Sequence, residues 1–186
     1  MIKKFAPWIL IPAVCGLLQW MYTVAEAGVD LSEPTFGTTD DAEIRFRNVR
    51  QLAYSWEDRE DAGMRLYRYK RRPQQYNHPD VEALLLLSPI TDRAYIRAEV
   101  VGDTLLPDTA YVHWQLADSS GTLVLTTLNA VGQYRLATQL YEALQAKATL
   151  SLEVPGRGTW PLFDHPRGQS AYETTMEDFY RLVGLR

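Results

Sequence analysis

The sequence predicts an α+β fold: a twisted antiparallel sheet of about six to eight strands with two covering helices, preceded by an N-terminal hydrophobic leader helix. Three observations predict it. Apolar and polar residues alternate in strand fashion through much of residues 42–128. Apolar residues at helical spacing occur in only two later segments. Two lysines followed by a long apolar run open the chain.

The leader comes first. After Lys3 and Lys4, residues 5–25 are apolar except for Pro7, Pro12, Gly16, Gln19 and Thr23. A run of about 20 such residues crosses a hydrocarbon layer of roughly 30 Å. Trp8 near one end and Trp20 with Tyr22 near the other suit the two interfaces of a retained anchor. Ala25-Glu26-Ala27, however, is the small-x-small pattern that a signal peptidase accepts, with Gly28 as the new start. Residues 1–27 are therefore a signal peptide or a membrane anchor, and the Ala-x-Ala pattern favours cleavage. Lipidation of Cys15, the only cysteine, is disfavoured by the bulky Val14 before it and the apolar run after it. On either main reading Lys3 and Lys4 hold the N-terminus in the cytoplasm. The rest is exported, to the periplasm of a bacterium, either soluble or anchored to the inner membrane.

Residues 28–41 are polar and turn-rich and read as a linker, leaving residues 42–186 as one exported domain. Within it, Ile44 and Phe46 alternate with arginines, and Leu52, Tyr54 and Trp56 alternate with Ala53 and Ser55. The phase slips at residues 48–50, which predicts a bulge in one long strand or a break between two. A charged turn over 57–63 leads to a hairpin partner over 64–70. Pro79 and the following acidic pair would open a helix, whereas the four leucines Leu84 to Leu87 suit a buried strand; the strand reading is favoured. Ala94, Ile96, Ala98 and Val100 share one strand face. Val112, Trp114 and Leu116 repeat the pattern, and residues 117–121 turn that strand into 122–128. Val131, Tyr134, Ala137, Leu140, Tyr141 and Leu144 line a helix over 130–146 with Asn129 as cap. A hairpin over 149–163 turns at residues 155–158. Tyr172, Met176, Phe179 and Val183 mark a last helix, with Ser170 and Glu173 at capping-box spacing.

Composition narrows the function. Removing 27 of 186 residues leaves 159, enough for one well-cored domain. That domain has no cysteine, which excludes disulfides and thiolate zinc sites. A net charge of −4 gives no general affinity for nucleic acid. Beyond the leader the only lysines are Lys70 and Lys147. No Gly-x-Ser-x-Gly elbow, Walker loop or His-Glu-x-x-His occurs, and His78, His113 and His165 have no spacing that gathers them on one element. No metal or cofactor is expected.

The most distinctive polar segment is Arg65-Leu66-Tyr67-Arg68-Tyr69-Lys70-Arg71-Arg72. On a strand, Arg65, Tyr67, Tyr69 and Arg71 share one face, and Arg68, Lys70 and Arg72 share the other. Cations beside tyrosine rings suit an anionic partner through charge-assisted hydrogen bonds and stacking. The plainer reading is an edge strand protected from aggregation by charge. Tyr111, His113 and Gln115, on the polar face of their strand, are secondary binding candidates.

These features predict a non-catalytic envelope protein that binds another envelope component, as an accessory subunit or inhibitor-type partner. That component is another envelope protein, or an anionic lipid or glycan, with membrane contact through residues 5–25 if the leader is retained. One alternative is a periplasmic hydrolase of cell-wall or lipid material that pairs a histidine with a carboxylate. Another is a lipid or glycan carrier.

Overall fold

A computed structural model describes residues 36–88, 90–102, 109–126 and 128–185. The leader of residues 1–27, with its alternative fates and Cys15, lies outside the described residues, as does most of the 28–41 linker. Residues from Thr35 onward form one compact unit. Its described residues form three α-helices and eight strands in two antiparallel sheets of four, so the α+β class holds while the single sheet expected from sequence is replaced by two.

The first departure from the sequence reading comes at once. Residues 44–53, expected as strand, are helical, and the helix starts inside the expected linker: α1 (Asp40–Arg45) passes into a π-helical turn (Phe46–Arg50) and a 3-10 turn (Gln51–Ala53). The Thr39 hydroxyl accepts from the Ala42 amide and Asp40, Asp41 and Glu43 fill the first turn, where the helix dipole favours negative charge. Those start signals outweigh two or three apolar alternations. The phase slip at 48–50 is real, and it marks the wider π turn rather than a strand bulge.

Sheet one is a meander of β1 (Tyr54–Arg59), β2 (Met64–Tyr69), β3 (Asp80–Ser88) and β4 (Arg93–Val101), in that spatial order. The four-leucine run is thus a strand, as favoured, and β3, central in its sheet and covered by the last helix, is buried along nearly its whole length. Sheet two contains β5 (Thr109–Gln115), β6 (Ser120–Thr126), β7 (Thr149–Val154) and β8 (Gly158–Pro161) in the order β6-β5-β7-β8. The expected pairing of β5 with β6 is present, Val112 facing Leu123 and Trp114 facing Gly121. Both pairings of β5 are filled, by β6 and β7, so β4 is not its neighbour, and β6 and β8 are the edges of the second sheet.

α2 (Ala130–Gln145) links β6 to β7 and matches the predicted helix, with the Asn129 side chain accepting from the Gly132 amide. α3 (Pro166–Leu182) begins earlier than expected. His165, not Ser170, is its cap: His165 Nδ1 accepts from the Arg167 amide at 3.0 Å and Pro166 fills the first turn, which puts Ser170 and Glu173 inside the helix.

Aromatic rings hold the π turn that follows α1 to sheet one. Phe46 sits 5.6 Å from Tyr54 and 5.2 Å from Tyr67, ring centre to ring centre, and all three are buried. Such tilted and edge-on pairs add about 0.5–1.5 kcal/mol each beyond the area they bury. Tyr134 with Phe179, and Tyr141 with Tyr180, make the equivalent contacts between α2 and α3.

Candidate functional site

The eight residues from Arg65 to Arg72 do not present one continuous binding strand. β2 ends at Tyr69, and Lys70, Arg71 and Arg72 lie in the turn that follows. Tyr67 is buried beneath Phe46, and burial raises its phenol above the usual tyrosine range. Arg65 is held within the hairpin: its Nε donates to Asp58 at 2.6 Å and its guanidinium lies 4.4 Å above the Trp56 ring.

Arg68 and Arg72 belong to an internal ionic cluster. Arg68 reaches Glu99 at 2.6 Å and Glu82 at 3.5 Å, and Arg72 reaches Glu82 at 3.2 Å and donates to the Tyr69 carbonyl at 2.9 Å. Glu82 and Glu99 face each other across β3 and β4, so without the two arginines like charges would meet on neighbouring strands. Tyr76 completes the cluster by donating its hydroxyl to Glu82; burial, then the carboxylate, raise its phenol far above the ordinary range.

What remains outward-facing is the turn. Tyr69, Lys70, Arg71, Arg72 and Gln74, with Pro166, Arg167 and Ser170 from the start of α3, line an open concavity of about 580 Å³ that no acidic residue lines. The Gln74 amide donates to the carbonyls of Lys70 and Arg72, both at 3.2 Å, and so fixes the turn. The Lys70 ammonium donates to the Leu52 carbonyl at 3.0 Å and has no carboxylate partner among the described residues. The Arg71 and Arg167 side chains make neither ion pair nor hydrogen bond among the described residues. Three cations with no carboxylate partner therefore converge at the positive end of a 17-residue helix. Arg167 was not singled out from sequence. Its signal was present in Asp164-His165-Pro166, where proline at the first helical turn marks a helix start.

The secondary candidates sit on sheet two. His113 Nε2 lies 2.7 Å from Glu153 and Nδ1 3.0 Å from the Thr122 hydroxyl, so the imidazole bridges β6 and β7. Gln115 and His113 line a second open concavity, of about 300 Å³, with Ser120, Thr122, Thr149 and Ser151; Tyr111 is not part of it. The other histidine–carboxylate pair is His78 with Asp164, 3.0 Å apart. The Pro79 carbonyl and then Asp164 raise His78 above the ordinary imidazole value. Glu153 and Asp164 are about half exposed (44% and 52%), so neither histidine meets a buried acid. Among the described residues no group of three potential ligands is placed to hold a metal ion. No described helix is long and apolar enough to cross a membrane.

No family model matches the chain, and no curated protein or solved structure matches it.

Proposed function

We propose that this is a non-catalytic exported envelope protein that binds an acidic segment of another envelope protein in the Lys70–Arg71–Arg167 concavity. One observation carries the reading: three cations with no carboxylate partner among the described residues gather in a concavity that no described acidic residue lines. Unpaired guanidinium groups are suited to bidentate capture of carboxylates, and the weakly hydrated arginine fork is the better choice over lysine for that task. Gln74 and the helix start hold the donors in place before binding, which lowers the ordering cost of association. Export rests on the two-lysine, apolar opening of the sequence.

The hydrolase alternative draws on the Thr122–His113–Glu153 arrangement, a hydroxyl, imidazole and carboxylate in hydrogen-bonded series. Its carboxylate and imidazole are both exposed to water, where a general base gains little from its surroundings. The basic concavity is therefore the preferred site.

Capture of partners by the tagged full chain from detergent-solubilised native membranes tests the proposal. The wild-type protein retains a stoichiometric envelope protein, and Arg71→Glu/Arg167→Glu loses it while remaining folded. Equal capture by the two proteins overturns the reading. Retention of lipid or glycan in place of a protein reassigns the ligand.

A further inference from the structure

We propose that the outward face of the 40–53 helical segment is a membrane-contact surface, on which Val49, Leu52 and Ile44 seat at the headgroup boundary of an anionic bilayer. The three side chains are 63%, 76% and 54% exposed, in a segment whose inward face is anchored by Phe46 and by the bond of Arg50 to Asp178. Five residues separate Ile44 from Val49, a little over one π turn, and three separate Val49 from Leu52. That spacing aligns them along one outward face. A surface helix ordinarily turns polar residues to water. A single exposed aliphatic is unremarkable, whereas three on one short segment form a stripe.

The charges beside the stripe choose its occupant. Lys70 bonds the carbonyl of Leu52 itself, so an ammonium stands at the Leu52 end, with Arg71 next in sequence. Arg45 is exposed and unpaired among the described residues, while Arg47 is held by Glu43. Asp40 and Asp41 lie at the opposite, N-terminal end of the segment. An aliphatic stripe with Lys70 at its Leu52 end, Arg45 beside Ile44 and the acids confined to the far N-terminal end fits an anionic lipid surface met by its 49–52 end. The sequence supplies the membrane. The apolar run of residues 5–25 ends 14 residues before Asp40, and a chain of that length spans at most about 50 Å. While the leader is attached, the stripe is confined near the bilayer and shallow contacts suffice.

The test uses the full chain with Cys15→Ala and one environment-sensitive fluorophore, on Leu52→Cys, Val49→Cys or, as control, Ser119→Cys in the β5–β6 turn. Reconstituted into vesicles of phosphatidylglycerol and phosphatidylcholine, probes at 49 and 52 shift to the blue and lose emission to spin-labelled lipid, while the probe at 119 does neither. The loss is smaller in phosphatidylcholine alone. With the probe at Ile44→Cys, Val49→Glu/Leu52→Glu removes the quenching and leaves the circular dichroism unchanged. Quenching at 52 no greater than at 119, or independent of lipid charge, overturns the proposal. Its failure is separable from that of the concavity, because partner capture depends on Arg71 and Arg167 and is unchanged by Val49→Glu, which adds no charge at the Leu52 carbonyl that Lys70 bonds.

Discussion

Tyr54 donates its hydroxyl to Asp178 at 2.7 Å, joining the first residue of β1 to α3 across 124 positions of sequence. Arg50 binds both oxygens of the same carboxylate, at 2.8 and 2.9 Å, and the Asp178 side chain is only 1% exposed. One buried carboxylate thus fastens the 40–53 segment, sheet one and the last helix together.

Removing that carboxylate leaves a buried phenol and a guanidinium unpaired. Asp178→Ala is expected to cost about 3–5 kcal/mol, the range for breaking one partner of a buried pair. Tyr54→Phe removes a single hydrogen bond to a charged group and costs about 1.5–3 kcal/mol. Urea denaturation of both variants, with the slope unchanged from wild type, measures the two losses.

The arginines of one short segment divide into two classes. Arg68→Ala leaves Glu82 and Glu99 facing each other with less compensation, and is expected to destabilise by about 2–3 kcal/mol. Arg71 and Arg167 have no ion-pair or hydrogen-bond partner among the described residues, so Arg71→Glu and Arg167→Glu stay within about 0.5 kcal/mol of wild type. Thermal melts of the three variants separate framework from binding surface without any ligand.

Gly121 faces Trp114 across β5 and β6, and a Cβ at Gly121 would come within 2.7 Å of the indole ring. The rigid ring has to move away, so Gly121→Ala is expected to cost about 1–3 kcal/mol through overpacking. A lowered melting temperature with a changed tryptophan emission is the expected result.

His78 gives stability a pH dependence of definite sign. Its folded pKa is raised above the ordinary 6.5 by the Pro79 carbonyl and by Asp164. A raised pKa means that the folded state holds the proton more tightly than the unfolded chain. The contribution is therefore complete below the unfolded value and lost as pH rises through the folded one. Comparing the pH dependence of melting for wild type and His78→Gln isolates it, and the variant is expected to lose the part of the slope on the alkaline side of 6.5.

Much of the framework was legible in the sequence because it depends on local pattern. Period-2 runs located β1, β4 and β5, the charged turn and the four-leucine run pointed to β2 and β3, and Asn129 with the Tyr134–Leu144 spacing located α2. The 40–53 segment was misread because Ile44 and Phe46 alternate like a strand, while the deciding signal was the Thr39 cap with its acidic first turn. The division into two sheets is a choice of strand neighbours, which alternation does not encode. The site was half legible for the same reason. Lys70 and Arg71 stood out by composition, but the partners that occupy Arg68 and Arg72 come from β3 and β4, and Arg167 lies 96 positions beyond Arg71 (167 − 71).

Site-specific photocross-linking from Ser170, an exposed residue lining the basic concavity, tests the central claim most directly. A photoreactive residue at 170 of the full chain, activated in native membranes, is predicted to yield one discrete protein adduct that the same residue at 119 does not. The adduct should disappear in Arg71→Glu/Arg167→Glu. Identical patterns from 170 and 119, or an adduct that survives the double variant, would contradict the account.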